Sequence, residues 1–314
     1  MTSFFEILRA GINTTFQDMG RINLNHVGIP QGGAMDNRNY RIANSILGNK
    51  INMPVLEFAY QGPILKYKGN DINFVITGDV FFKIKKENDE IKGNCYEVYL
   101  LKDGDEIDIV STNKSVYGYF AISGEIDLKY QWNSCSINTK AYIGSNDGKK
   151  LQKDQKINIL RLNSNSKIKK LNYINTKIEK IRVIKGTNYD YFSDEAKKIF
   201  FKKEFTVSKL SDRMGMRLEG LNINNIVDTN IRSEGLIKGT IQVPADGNPI
   251  IMLSDHGTIG GYPKIGVVIS ADYDRLVQLS PGSKIKFQEV NLSDAETLFK
   301  LYEMDTQNLI LQSK

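Results

Sequence analysis

The chain is 314 residues long, carries a net charge of +6 and is 40% hydrophobic, with two cysteines and one tryptophan. A chain of this length buries roughly three quarters of the surface its unfolded form exposes, so it folds without disulfide or metal staples. Its apolar runs, such as residues 249–253, fall far short of the roughly 20 that take a helix across a bilayer, which argues against a membrane-spanning chain.

The first residues, Met1-Thr2-Ser3-Phe4-Phe5-Glu6, lack the basic flank and long apolar run of an export signal, and Cys95 and Cys135 stand apart without CxxC spacing. A reducing, cytoplasmic location is expected. Asp36 is placed to cap a helix whose Tyr40, Ala43 and Leu47 share one stripe and which stops at Gly48. Short β-rich runs follow at 55–60, 64–67, 72–77, 97–101, 106–110 and 116–122, separated by Gly, Asn and Asp turns.

Between Lys149 and Lys185 lysines are dense but separated by Asn, Ser and Ile, with none of the interleaved aromatics on which bases stack. A solvated face or interdomain connector is expected there, and no nucleic-acid partner. Beyond it, residues 193–200 form a second short helical pattern, and strand patterns recur at 205–210, 240–243, 250–253, 265–269 and 284–290. Ser293-x-x-Glu296 is a capping box leading into Ala295, Leu298, Phe299 and Tyr302, a stripe suited to dock on the core.

Many short strands with few helices predict a mainly β fold of barrels or sandwiches. The run Leu101-Lys102-Asp103-Gly104-Asp105-Glu106-Ile107 has the same apolar, turn-glycine and alternating pattern as Leu279-Ser280-Pro281-Gly282-Ser283-Lys284-Ile285. This echo supports two related modules, one over residues 1–175 and one over 176–314.

Several chemistries find no support. His26 and His256 have no second His or Cys at ligand spacing, so no metal site is expected. There is no GxxxxGK[ST] loop, no Rossmann glycine fingerprint and no GxSxG elbow. What remains is acid, base and electrostatic chemistry on an anionic small molecule.

Ser211-Asp212-Arg213-Met214-Gly215 places a guanidinium fork between turns, with Asp212 as its expected orienting partner. Glu234 is a candidate base or hydrogen-bond acceptor, and Lys264, just past Gly260-Gly261-Tyr262-Pro263, is placed to neutralise an oxyanion or phosphate. The glycines at 257, 260 and 261 read as a turn or a backbone anion nest. A surface ion-pair network is the competing reading for Arg213, Arg217, Glu219 and Lys264. Near the N-terminus, cap and turn chemistry accounts for Asp36 and Gly33, whereas Gln17, Asp18 and Arg21 crowd one tight segment that turn formation does not explain.

Taken together, Thr14-Thr15-Phe16-Gln17-Asp18-x-Gly20-Arg21, Gly33-Ala34-Met35-Asp36, Leu56-Glu57, Ser211-Asp212-Arg213-Met214-Gly215, Ser233-Glu234-Gly235, Gly239-x-Ile241-Gln242-Val243-Pro244 and Gly260-Gly261-Tyr262-Pro263-Lys264 carry a resemblance. They resemble, in order along the chain, the biotin-dependent carboxyltransferase / allophanate hydrolase subunit 2 family, whose members include KipA and the 5-oxoprolinase C subunit. Met216, Gln31-Gly32 and Ile259 depart from the family's pattern.

The resemblance implies two cyclophilin-like β-barrel domains with a few short helices. It implies work beside a KipI-like B subunit, together with a lactam-utilising A subunit, the chain being inactive alone. For oxoprolinase members it implies opening of 5-oxoproline to L-glutamate, with ATP and a divalent cation in the full complex and no biotin attached to this chain. The expected catalytic residues are Arg213, Glu234 and Lys264. The expected substrate contacts are Gln17, Asp18, Arg21, Asp212, Gln242, Gly260, Gly261 and Tyr262. The alternatives it leaves are a carboxyltransferase component that acts on urea or a related amide, and a KipA-like regulator that binds a KipI-type histidine kinase inhibitor.

Overall fold

Alternation of apolar and polar side chains makes strands the dominant regular element of this chain, as a computed structural model describing residues 2–162, 170–173, 178 and 180–312 shows. The chain divides into two compact units: Met1–Arg21, Gly32–Asn175 and Thr306–Lys314 form one, and Ile22–Gln31 with Thr176–Asp305 form the other. Each unit is therefore discontinuous in sequence, whereas the pattern predicted a single cut between residues 175 and 176. That cut itself lies outside the described residues.

The first unit contains β1 (Phe4–Arg9), β2 (Asn13–Gln17), α1 (Asn37–Ile46), β3 (Val55–Ala59), β4 (Ile64–Lys68), β5 (Ile72–Thr77), β6 (Val80–Lys86), β7 (Asp89–Lys92), β8 (Tyr99–Leu101), β9 (Glu106–Thr112), β10 (Tyr117–Ile122), β11 (Gly124–Ile126) and β12 (Lys156–Leu162). They form a seven-stranded sheet, β11-β12-β1-β4-β9-β6-β7, and a five-stranded sheet, β2-β3-β10-β5-β8. Both feed one core: Phe5, Leu65, Tyr67, Phe82 and Ile107 from the first sheet meet Phe58, Phe74, Ile76 and Phe120 from the second. Burial of each such side chain stabilises the fold by about 1.5–3 kcal/mol. The unit is mainly β as predicted, but its strands pair as two sheets around a common core, not as one closed ring.

The second unit contains β13 (Lys180–Lys185), α2 (Asp194–Lys202), β14 (Phe205–Val207), β15 (Gly215–Glu219), β16 (Glu234–Gly235), β17 (Thr240–Gln242), β18 (Ile250–Met252), β19 (Ile259–Gly260), β20 (Lys264–Val268), α3 (Ser270–Leu276), β21 (Lys284–Glu289) and the start of α4 (Leu292–Gln312). Seven strands close a barrel in the order β13-β20-β17-β18-β15-β14-β21. The ring is sealed by parallel pairing of β13 with β21, which sets Ile181 beside Phe287. Strands β16 and β19 form a separate two-stranded sheet.

Caps follow the side-chain chemistry. The Asp36 carboxylate accepts from the Asn39 amide at 2.9 Å, and Ser193 Oγ accepts from Ala196 N at 3.1 Å. The third cap differs from expectation: Asn291 Oδ1 accepts from Asp294 N at 2.8 Å while its Nδ2 donates to Asp294 Oδ2 at 2.9 Å, so α4 starts at Leu292. An Asn-x-x-Asp pair thus does the work assigned to Ser293 and Glu296. Ala295, Leu298 and Tyr302 pack with Ile269 and Ala271, whereas Phe299 is 42% exposed.

The repeated glycine pattern has a shared structural meaning. Gly104 (φ 93°) donates to Tyr67 O at 2.9 Å and Gly282 (φ 87°) donates to Val207 O at 2.8 Å. Each thereby fastens the turn before an inward-alternating strand, β9 or β21, to the end of a neighbouring strand. The left-handed backbone that this turn needs is open to glycine at little cost.

Candidate functional site

The site residues expected near the N-terminus are all in the first unit and all buried. Gln17, at the end of β2, donates from Nε2 to Thr15 Oγ1 and to Ile137 O, each at 2.9 Å, and its Oε1 accepts from Ser136 Oγ. Asp18 Oδ1 accepts from Gly20 N at 2.8 Å and Ser134 Oγ at 2.6 Å, and its Oδ2 accepts from Cys135 N at 2.8 Å. Arg21 Nη2 donates to Ser136 O at 2.6 Å. These three residues tie the 134–137 segment to the end of β2 and the turn that follows it.

The Gly33-Ala34-Met35-Asp36 motif is explained in the same way. Met35 N donates to Glu57 Oε2, and Asp36 N donates to Tyr119 Oη, each at 2.7 Å, while Asn39 Nδ2 donates to Asp36 Oδ2 at 2.6 Å. The start of α1 is thus bonded to β3 and β10 through buried polar groups, each satisfied at its own end.

In the second unit, Arg213 is not an open clamp. Its Nε donates to Asp255 Oδ2 at 2.8 Å and its Nη2 to Asp255 Oδ1 at 3.0 Å, with both side chains buried. Asp212, expected to orient Arg213, instead accepts from Met214 N at 2.8 Å and Gly215 N at 3.2 Å and shapes the turn into β15. A carboxylate two residues from a turn amide is favourably placed for that bond, and Asp255, far away in sequence, could not be found by local spacing. Beside it, His256 Nδ1 lies 2.6 Å from Gly257 O, and burial lowers its pKa.

Lys264, Glu234, Gln242, Gly260 and Tyr262 do come together, at one edge of the barrel. Antiparallel pairing of β17 with β20 sets Gln242 opposite Lys264, and pairing of β16 with β19 sets Glu234 opposite Gly260. The glycines expected to form an anion nest are therefore partly strand: Gly260 lies in β19, and Gly261 follows it, its carbonyl accepting from Ile231 N at 2.9 Å. A Cβ on Gly260 would come within 2.6 Å of Gln242 Nε2, so glycine here admits the Gln242 amide, which also donates to Tyr262 O at 3.3 Å.

Lys264 is 4% exposed, and its Nζ lies 2.8 Å from Glu234 Oε2, whose side chain is 43% exposed. The bond from Lys264 lowers the Glu234 pKa from the ordinary carboxylate value. That places Glu234 further from the near-neutral pKa a general base needs, and favours an electrostatic role over the base role. Sequence reasoning missed Asn188, which is buried: its Oδ1 accepts from Lys264 N at 3.1 Å, and its Nδ2 lies 3.5 Å from Glu234 Oε1. Its only local signal was a Gly-Thr-Asn turn, which marks a loop and no chemistry. Among the described residues no three His, Cys, Asp or Glu side chains gather as a metal cage, and no helix is long and apolar enough to cross a membrane.

The carboxyltransferase domain, subdomain A and B, matches residues 27–289. Over 302 residues the chain is 32% identical to the 5-oxoprolinase C subunit of Haemophilus influenzae, covering 95% of each protein. Over 294 residues it is 32% identical to the 5-oxoprolinase C subunit of Escherichia coli, covering 92% of each. The K. lactis urea amidolyase crystal structure shares the fold with a TM-score of 0.88 at 26% identity, over 98% of this chain and 20% of that one, so the chain spans about a fifth of that protein's length. With its mainly β fold, its closed barrel and the ordered motifs on the barrel edge, the chain belongs to the carboxyltransferase domain A and B family.

Proposed function

We propose that this chain is the C subunit of an ATP-dependent 5-oxoprolinase that opens 5-oxoproline to L-glutamate in the cytoplasm, together with a KipI-like B subunit, and with a lactam-utilising A subunit. The observation that carries the reading is the end-to-end match: nearly the whole of this chain aligns, at 32% identity, with nearly the whole of two 5-oxoprolinase C subunits.

An unstrained lactam resists hydrolysis, and ATP supplies a phosphoryl group that turns its carbonyl oxygen into a leaving group. In this chain the Arg213 fork is held by Asp255 and Lys264 by Glu234, and the described residues offer no cluster for a divalent cation. The chain's contribution is to hold a small anion at Lys264, Asn188 and Gln242, in a fixed position that water alone would not supply.

The test is reconstitution: the chain mixed with its KipI-like and lactam-utilising partners, ATP and magnesium is expected to release glutamate from 5-oxoproline, and the chain alone is not. No glutamate from a fully folded mixture, with relief of kinase inhibition on binding the KipI-like protein, would favour the KipA-like regulatory reading. The likeness to urea amidolyase favours, as a second reading, a carboxyltransferase that takes carboxybiotin from another chain; transfer of labelled carboxyl to urea by this chain with such a donor would establish it.

A further inference from the structure

The Lys264, Asn188 and Glu234 side chains are arranged as a carboxylate site already holding a carboxylate. Two donors converge on Glu234: Lys264 Nζ at 2.8 Å from Oε2, and Asn188 Nδ2 at 3.5 Å from Oε1. The orientation of the Asn188 amide is fixed, because its Oδ1 accepts from the Lys264 backbone N–H at 3.1 Å, which turns the NH2 outward to donate. An ammonium beside an amide N–H matches the two oxygens of a carboxylate.

Donors and acceptor differ in how they are held. Lys264 and Asn188 are both 4% exposed; Lys264 lies on β20 of the closed barrel. The Glu234 side chain is 43% exposed and is carried by β16, whose two residues pair only with the two residues of β19, outside the seven-stranded ring. The donors are therefore preorganised from within, and the carboxylate arrives from the solvent side. An ion pair with one partly hydrated end contributes little to stability, so exchange of that carboxylate for another is nearly balanced. Loss of Glu234 with no carboxylate to replace it would be different, since a buried ammonium requires a counter-charge.

We propose that Glu234 is a built-in occupant of a ligand-carboxylate seat formed by Lys264 Nζ and Asn188 Nδ2, and that a small carboxylate ligand binds by displacing it. This rests on the oxoprolinase reading only in choosing 5-oxoproline as the probe, the seat itself being defined by the geometry. Glu234 then keeps Lys264 neutralised while no ligand is present, and lowers the affinity for every carboxylate by the same competition.

The test uses the full chain and its Glu234→Gln and Glu234→Gln/Lys264→Met variants, titrated by NMR with 5-oxo-L-proline, with acetate, and with 2-pyrrolidinone, which has the lactam ring and no carboxylate. Glutamine keeps the size of the plug and removes its charge, and thermal melts report on folding. Glu234→Gln is expected to bind 5-oxoproline at least tenfold more tightly than wild type and 2-pyrrolidinone unchanged, with the gain lost in the double variant. A gain for acetate without one for 5-oxoproline would sustain the seat and count against the oxoprolinase reading. Equal or weaker binding of both carboxylates by a folded Glu234→Gln variant overturns the proposal, whatever the reconstituted complex does.

Discussion

Arg213 and Asp255 grip each other twice, Nε to Oδ2 and Nη2 to Oδ1, and the chain adds a third tie as Asp255 N donates to Arg213 O at 2.9 Å. Both side chains are buried, 7% and 3% exposed, so neither is available to water when its partner is removed. Arg213→Ala should therefore destabilise the protein by about 3–5 kcal/mol by leaving an uncompensated carboxylate. Urea unfolding measures this, and the Arg213→Ala/Asp255→Ala double variant should recover part of the loss. A fully stable Arg213→Ala with reduced turnover would return Arg213 to the catalytic set.

Lys264 is the opposite case, because its partner can be hydrated. Lys264→Met keeps the aliphatic stem and removes the charge, so stability should change by less than about 1 kcal/mol. Turnover of the reconstituted complex should fall tenfold or more, a barrier increase of about 1.4 kcal/mol or greater. Wild-type turnover in a folded Lys264→Met variant would make the pair structural.

His256 gives the protein a pH dependence with a definite sign. Burial, the largest influence, holds its imidazole below the usual value, while the bond to Gly257 O partly opposes the shift. The folded state thus binds a proton less readily than the unfolded state, for which the pKa is about 6.5. The stability this provides is complete above that value and is lost as pH falls through it towards the folded pKa. Thermal melts from pH 8 to 5 should show a decline that His256→Gln reduces, and superimposable profiles would exclude this source.

The two cysteines should be inert in the native state. Burial pushes the Cys95 thiol up to about 11 and Cys135 well above its ordinary value, so thiolate, the reactive form, is scarce at pH 8. Iodoacetamide should label both in urea and neither on the same timescale in buffer, as mass spectrometry would read. Rapid native labelling of Cys135 would mean that the 134–137 segment opens.

Much of the fold was legible because alternation and turn chemistry are local. The strands at 72–77 and 284–290, the Asp36 cap and the Gly104 and Gly282 turns all follow from patterns spanning a few residues. Strands β6 and β13 were missed although Val80, Phe82 and Ile84, or Ile181 and Val183, alternate inward. The lysines of β13 fell in a stretch read as a solvated connector, when a half-buried strand also places charge on its outer face. The site was legible only in part. Lys264, Glu234 and Gln242 sit near recognisable glycine turns, but Asn188 and Asp255 reach their partners across 76 and 42 residues. Only the register of the barrel strands brings such residues together. Gln17, Asp18 and Arg21 stand out in the sequence by their density, and their long-range bonds to residues 134–137 lay beyond any local pattern.

Whether this chain works as an oxoprolinase subunit is decided by glutamate release from 5-oxo-L-proline when it is mixed with its KipI-like and lactam-utilising partners, magnesium and ATP, measured against the same mixture containing Lys264→Met. Glutamate production should depend on ATP, require this chain and fall at least tenfold with the variant. Production at the same rate without the chain, or none from a mixture of well-folded proteins, would contradict the oxoprolinase reading.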